Sequence, residues 1–485
     1  MIASPISEPS ELRRAPRRVL AGFGLAMRSY SHYLEPRSQE ELARTFELAA
    51  EEGLHVALRG TGNSYGDAAI AHRELVVDTA GMNRVLSFDP ERGIIEVEPG
   101  VTIRDLWTHA LPHGFWPAVV PGTMKPTLAG VAAMNVHGKN NYKVGPIGDH
   151  VLDFDLLTPA GELLRCSRTE NRELFHAAIS GFGMLGAFTR LKIGLKRVES
   201  GFLRVESIRT RDLAESFEIF EQRCPEPDYL VGWLDGVIGG SRTGRGVLHA
   251  AHYISASEDK LGPARSLRPE AQELPSRILG VPKSMLWMGM RPFLNNLGVR
   301  CINAAKYQAS RLHRNGHSYL QTHVGFAFLL DYVPEWRRAY GLGGLIQYQP
   351  FVPRAAAQQV FGELLALARR RGLPPYLVVL KRHRPDDFLL THAVDGYSLA
   401  MDLRVTASNR EALWKLGHDM SEIVLAAGGR FYFAKDALLT PQHVRRAWGE
   451  ERWSSFLALK RKHDPRGVLR TDLAQRLLGE ELWAS

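Results

Sequence analysis

Arg59-Gly-Thr-Gly-Asn-Ser-Tyr-Gly-Asp67 follows the apolar run Val56-Ala57-Leu58 and places three glycines, Gly60, Gly62 and Gly66, directly behind a strand-like segment. Glycine admits positive φ and lets backbone N–H groups close on a ligand. Successive exposed N–H groups form a concavity suited to an anion, and a pyrophosphate is the natural candidate. The spacing is not that of a P-loop, which ends in Gly-Lys-Ser/Thr. Nor is it the dinucleotide fingerprint G-x-G-x-x-G. Two readings stand at this point: an anion-binding loop, or a plain glycine-rich turn.

Two later segments share that character. One is Pro121-Gly-Thr-Met-Lys-Pro-Thr-Leu-Ala-Gly-Val-Ala-Ala-Met-Asn-Val-His137-Gly-Lys-Asn140, and the other is Gly181-Phe-Gly-Met-Leu-Gly-Ala-Phe188. Small residues let a flat ligand lie against the backbone. The intervening sequence alternates helix and strand signals. Ser38-Gln-Glu-Glu41 reads as a capping box, Leu42, Phe46 and Ala49 follow at helical spacing, and Gly53 is a stop signal. Ile94 to Glu98 alternates and ends at Pro99-Gly100, as a strand does. Thr102 to Trp107 opens a helix that stops near Pro112 to Gly114, and Asp155 to Arg165 reads as a hairpin turned at Pro159 to Gly161. Helices mixed with returning hairpins predict an α+β fold rather than a doubly wound sheet.

Composition sets outer bounds. With 485 residues, 45% hydrophobic and 23% charged, the chain has ordinary globular composition and enough length for two large lobes. The net charge of +9 suits either a soluble basic protein or one drawn to phosphorylated substrates or an anionic membrane surface. No array of aromatic and basic residues argues for nucleic acid. Cys166, Cys224 and Cys301 lack metal-ligand spacing, so no metal is expected, and a reducing compartment is. Arg17-Arg18 precede the short apolar run Val19 to Met27, but Gly22 and Gly24 interrupt it and Arg28 closes it, so no signal peptide is expected. No apolar stretch approaches the roughly 20 residues of a spanning helix. Ser284 to Ile302, rich in Met and aromatics, is either a core helix with Met as gap filler or a flap that guides a lipid tail or touches a bilayer.

In order and spacing, these motifs resemble those of the vanillyl-alcohol-oxidase-type FAD-binding oxidoreductases, and within that family the branch acting on polyprenyl-phosphate-linked ribose. Arg59 to Asp67 resembles its R-G-x-G-x-S-Y-G-D loop. Pro121-Gly-Thr and His137-Gly-Lys-Asn140 resemble its P-G-T and H-G-K-N elements. Asp331-Tyr-Val-Pro-Glu-Trp-Arg-Arg-Ala-Tyr-Gly341, Gln347-Tyr-Gln349, Gly428-Gly-Arg-Phe-Tyr-Phe-Ala-Lys-Asp436 and Lys462-His-Asp-Pro465 match later signatures in the same order.

The resemblance implies a two-lobed, PCMH-type flavoprotein with a discontinuous FAD domain. Its first part would be residues 1–198, its C-terminal return residues 426–485, and a substrate or cap domain would occupy 199–425. FAD is the implied cofactor. Arg59, Gly60, Thr61, Gly62, Asn63, Ser64 and Tyr65 of the first loop would hold it. Pro121, Gly122, Thr123, Thr127, Gly130, Asn135, His137, Gly138, Lys139 and Asn140 of the second segment would join them, with Gly183, Gly186, Tyr432 and Lys435. Asn63 stands where many members carry the histidine that bonds flavin, and no cysteine lies in Val136 to Asn140, so the FAD is expected to be non-covalent.

Catalytic residues implied by the match are Lys435, Lys381, His137 and Tyr65. Lys435 is the expected positive group at the flavin. Lys381, in Leu377-Val-Val-Leu-Lys-Arg-His-Arg384, is a base if burial lowers its pKa, or a phosphate ligand or surface charge beside Arg382 and Arg384. The proton acceptor stays open among Lys435, Lys381 and His137. Gln347 and Gln349 point to one face of a strand and, with Lys381, Ser398 and Ala400, form the expected sugar site. Ser398 and Ala400 depart from the asparagine and cysteine of the mycobacterial-type enzymes, so the identity of the sugar is open, while Asp402 matches a family aspartate.

The implied activity is oxidation of a secondary hydroxyl of a sugar to a keto-sugar, with a short-chain reductase as the partner that completes an epimerisation of polyprenyl-phosphate ribose. A soluble sugar or aldonolactone as substrate, and a flavin-binding protein without turnover, are the alternatives. The expected location is cytoplasmic, at the inner membrane face if the substrate is lipid-linked.

Overall fold

The computed structural model describes residues 11–278 and 280–479; the outermost parts of the expected terminal segments, residues 1–10 and 480–485, lie outside it. The apolar run before the first glycine loop is strand β3 (Val56–Arg59), in a sheet of order β1-β2-β4-β3 with β1 (Arg17–Ala21), β2 (Arg28–Leu34) and β4 (Leu75–Asp78). The first part of the twin-arginine-like run, Arg17–Ala21, is the edge strand of this sheet. Strands β2, β4 and β3 are parallel, and Val56, Leu75, Val76 and Val77 are fully buried. Burial on both faces explains why these strands read as continuous apolar runs.

The helix Gln39–Glu52 makes the crossover from β2 to β3. Ser38 caps it by accepting the Glu41 N–H, and Gly53 ends it at φ +63°. The capping box expected here is only half formed, because the Glu41 carboxylate reaches one residue further back and accepts the Arg37 N–H at 2.8 Å. A complete box forms instead at Thr102 and Asp105, opening the helix Ile103–Ala110.

A second sheet contains β5 (Val85–Asp89), β6 (Ile94–Val97), β7 (Phe115–Pro117), β8 (Val151–Leu157), β9 (Leu163–Ser167) and β10 (Ala187–Arg197), in the order β5-β6-β10-β8-β9 with β7 beside β10. The expected 155–165 hairpin is β8 and β9.

The third sheet faces the other two across the site. Its strands are β11 (Phe202–Thr210), β12 (Tyr229–Leu234), β13 (Gly246–Tyr253), β16 (His317–Thr322), β17 (Leu345–Tyr348), β18 (Pro350–Pro353), β19 (Leu377–His383), β20 (Gly396–Arg404) and β21 (Arg430–Phe431); a separate hairpin pairs β14 (Arg277–Ile278) with β15 (Val281–Pro282). The register sets one face of this sheet. His249 lies opposite Val231, Trp233 opposite Val379, and Val379 opposite Ala400. Antiparallel partners share a face and residues two apart on a strand share it too. Leu377, Lys381, Ser398 and Asp402 consequently point the same way as His249 and Trp233.

After β21 the chain returns to the first sheet. Val56 donates its N–H to Val468 O at 2.7 Å, and Arg470 donates to Val56 O at 2.9 Å, so the C-terminal segment extends the edge beyond β3.

Of the two readings of Ser284 to Ile302, the core helix is overturned. The segment is broken into the short helix Leu286–Met290 and the start of the helix Asn296–Ala309. Met285, Met288, Phe293, Leu297 and Ile302 are exposed, and only Leu294 and Val299 are buried. Pro292 and the Asn295 cap divide the run, so no single face collects its apolar side chains.

Candidate active site

A cavity of about 480 Å³ lies where the three glycine-rich segments meet the cap sheet. That volume is in the range of small-molecule sites. The first loop lines it from Arg59 to Tyr65, the second through Pro121, Gly122, Thr123, Thr127, Gly130, His137 and Lys139, and the third through Gly183 and Gly186. Gln347, Gln349, Lys381, Ala400, Tyr432 and Lys435 complete the set of expected residues on its wall.

The first loop is shaped to leave its amides open. Gly62 adopts φ +67°, and a Cβ on Gly60 would stand 2.1 Å from Thr127 Oγ1, so neither position accepts a side chain. Asn63 Nδ2 donates to Thr61 Oγ1 at 2.7 Å, and Thr61 donates to Lys125 O at 2.7 Å. Among the described residues, the N–H groups of residues 61–64 have no protein acceptor. This row of free donors on a cradle closed to side chains fits a pyrophosphate and favours the anion-binding reading of the loop. Asn63 holds the loop through its own amide, which fits a cofactor bound without a covalent link. Arg59 lines the cavity but spends its guanidinium on Ala69 O and Ala21 O, at 3.1 and 3.2 Å, and so braces the loop.

Four expected site residues do not reach the cavity. Asn135 accepts the Gly148 N–H at 3.1 Å and donates to Asp386. Asn140 donates to Ala118 O at 2.8 Å, and a Cβ on Gly138 would meet Asn140 Oδ1 at 2.3 Å. Val136, His137 and Lys139 face the cavity, while Asn135, Gly138 and Asn140 spend their polar groups or space on the packing behind it. Ser398 shares a face with Ala400 but is fully buried under Gln349 and His383.

One end of the cavity gathers titratable groups, with Tyr65, His137 and Asp402 buried and Lys381 and Lys435 half-buried. Lys435 Nζ sits 3.6 Å over the Tyr65 ring, and Tyr65 donates its N–H to Ala434 O at 2.8 Å. Burial keeps the Tyr65 hydroxyl far above its ordinary pKa, so it stays neutral. Burial lowers Lys435 to about 7 and Lys381 to about 8, and raises Asp402 to about 7. Gln347 Nε2 donates to Asp402 Oδ1 at 2.5 Å, while Asp402 Oδ2 has no partner. Gln349 Nε2 donates to His137 Nε2 at 3.0 Å and to Ser398 Oγ at 3.2 Å. With its Nε2 lone pair engaged, neutral His137 carries its proton on Nδ1, which has no partner. Burial and the nearby Lys381 hold this imidazole well below its usual pKa.

Replacing Gln349 by Met removes the donor shared by His137 and Ser398. The expected loss is about 1–3 kcal/mol of stability, from buried acceptors left unpaired. Denaturant unfolding of the FAD-loaded protein measures it.

Sequence reading missed Trp233, His249 and Lys306, which also line the wall. Trp233 and His249 carry no motif, and only the strand register brings them to the site.

The profile of the FAD binding domain family matches residues 30–167. Decaprenylphosphoryl-beta-D-ribose oxidase of Mycolicibacterium smegmatis is 30% identical over 94% of this chain and 97% of its own. L-gulonolactone oxidase of Bos taurus is 32% identical over 32% of this chain and 34% of its own. Cytokinin dehydrogenase 5 of Arabidopsis thaliana is 30% identical over 41% of this chain and 36% of its own. The free amides of the glycine loop, the α+β fold and a similarity that runs nearly end to end place this FAD-dependent oxidoreductase in the decaprenylphosphoryl-β-D-ribose oxidase family.

Proposed function

We propose that the protein oxidises a secondary hydroxyl of a ribose unit carried on a polyprenyl phosphate, giving a keto-sugar. The observation that carries this reading is the convergence of Gln347, Gln349, Lys381 and Lys435 on one end of a cavity whose other wall is the glycine loop. Bound FAD supplies the hydride acceptor. The chain supplies positioning, dryness and the proton acceptor.

Gln347 and Gln349 orient the sugar, each braced from behind, by Asp402 and by Ser398. Leu377, Val379, Val231 and Ala400 form an apolar wall that keeps water from the reacting carbon. His137 accepts from Gln349 and holds that amide in place, its own N–H on Nδ1 being buried. Lys381, at about 8, is mostly charged at neutral pH and suits an anionic or hydroxyl oxygen. Lys435, at about 7 and beside Asp402, is the group able to take the hydroxyl proton near neutrality.

Among the described residues, no helix is long and apolar enough to cross a membrane. In this reading the exposed Met285, Met288, Phe293 and Leu297 form the surface where a lipid tail or the inner membrane face meets the protein. The keto-sugar product requires a reductase, of the short-chain type, to complete an epimerisation.

Anaerobic mixing tests the substrate. Farnesylphosphoryl-β-D-ribofuranose is expected to bleach the flavin, and L-gulono-1,4-lactone to leave it oxidised. Bleaching by the lactone alone would move the substrate to the soluble class. A flavin that no sugar reduces would leave a binding protein without turnover.

A further inference from the structure

The cavity wall bears Arg59, Lys139, Lys306, Lys381 and Lys435 and not one Asp or Glu. Among the described residues, none of the four lysines forms an ion pair with a carboxylate. The pyrophosphate cradle accounts for the glycine-loop side only. On the cap side His249 on β13, opposite Val231, stands two strands away from Lys381, with Lys139 and Lys306 around it.

The placement of this group is built. Lys306 lies in the helix Asn296–Ala309 and holds its ammonium 4.1 Å over the Trp233 ring. One turn before it, Asn303 Nδ2 donates to Asp235 Oδ1 at 3.1 Å, and buried Arg245 pairs with Asp235 at 3.0 Å while lying 4.7 Å over Tyr307. This clamp ties the helix to the cap sheet and fixes Lys306 at the cavity mouth. Lys139 bonds Phe326 O and keeps its ammonium 4.3 Å over the Phe326 ring. Burial and then the charges of Lys139 and Lys306 drive His249 to about 4, so it meets a ligand as a neutral hydrogen-bond donor.

Resting on the sugar-oxidation reading above, we propose that Lys306, His249 and Lys139 form a second anion site on the cap wall, which takes the phosphate ester of the substrate. The two ammonium groups have no carboxylate partner among the described residues, and a phosphate set between them accepts from both and from the neutral His249 imidazole. Two strand spacings, about 10 Å, separate the β13 position from Lys381 on β19. That span lets the sugar lie at Lys435 while its phosphate lies at the mouth.

Calorimetric titration of the FAD-loaded protein with inorganic phosphate, ribose 5-phosphate and farnesyl phosphate tests the site. Wild type is expected to bind all three. Lys306→Met and His249→Leu are each expected to weaken binding about tenfold or more, a loss of one charge-assisted hydrogen bond. Lys306→Arg is expected to restore most of it, and Lys415→Met, an exposed lysine elsewhere, to change it less than about twofold. Tighter binding of farnesyl phosphate than of ribose 5-phosphate assigns the site to a lipid-linked ester, and the reverse order to a soluble one; both support it. Wild-type affinity in Lys306→Met and His249→Leu overturns the proposal, as does loss of FAD from these variants with phosphate binding intact. Because binding is read without turnover, failure of ribose as substrate leaves this result standing on its own.

Discussion

Lys435→Met is expected to give a folded yellow protein whose flavin is reduced by substrate about a thousandfold more slowly, the scale of removing a general base. Lys435 Nζ lies over the Tyr65 ring and has no ion pair among the described residues, so a methionine fills the space, and buried Asp402, losing the neighbouring cation, is driven further toward its protonated form. The pH dependence separates the two roles open to this residue. Burial lowers Lys435 and raises Asp402, each to about 7, and the two titrate as a coupled pair. A base works above its pKa, so in wild type the rate of reduction should climb with pH through about 7 and level off above it. Lys435→Met should lose that limb. A wild-type rate that instead falls through about 7 would assign Lys435 a purely electrostatic role, as the cation beside developing negative charge. Stopped-flow reduction over a pH series reads the profile, and an unaltered rate in the variant would remove Lys435 from the chemistry.

What the sequence disclosed follows from which interactions are local. The glycine loop was legible because its work is done by its own backbone, and glycine is the residue type that backbone demands at Gly60 and Gly62. Alternation in Gln347-Tyr-Gln349 placed both amides on the cavity face for the same reason. Asn135, Gly138 and Asn140 were drawn into the cofactor set by their neighbours, yet of that stretch only Val136, His137 and Lys139 reach the cavity. Ser398 lies on the correct face and is still covered, because Gln349 and His383 close over it; coverage is a tertiary fact without a one-dimensional signal. Trp233, His249 and Lys306 were illegible because three distant segments must dock before they share a wall. The broken helix around Pro292 shows the converse limit: Met and aromatic content alone suggested burial, and the chain leaves much of that segment exposed.

Arg476 is the residue on which the closure of the FAD lobe depends, and it belongs to no motif. Its Nη2 donates to Asp67 Oδ1 at 2.8 Å and to Asp436 Oδ2 at 2.9 Å, its Nε to Asp67 Oδ2 at 3.0 Å, and its Nη1 to Leu439 O at 2.6 Å. Asp67 ends the glycine loop and Asp436 ends the Ala-Lys-Asp segment, so one guanidinium joins the loop to the segment that carries Lys435. The two segments touch through backbone as well, since a Cβ on Gly66 would stand 1.7 Å from Asp436 O. Arg476→Met leaves two buried carboxylates facing each other with no cation. The expected loss is about 3–5 kcal/mol of stability, with weakened FAD retention, both measured by unfolding and by flavin release on heating. The sign with pH is fixed by the same charges. Burial already raises Asp67 even with Arg476 present, and without it the folded-state pKa rises further. A group whose pKa is higher folded than unfolded loses stability as pH rises. The deficit of the variant should therefore shrink as pH falls and Asp67 takes up a proton, which ends the repulsion. Arg476→Lys, with the charge but not the fork, should fall between the two. A variant with the wild-type midpoint at every pH would mean that the apolar packing of Leu473 and Leu477 closes the lobe without the ion pairs.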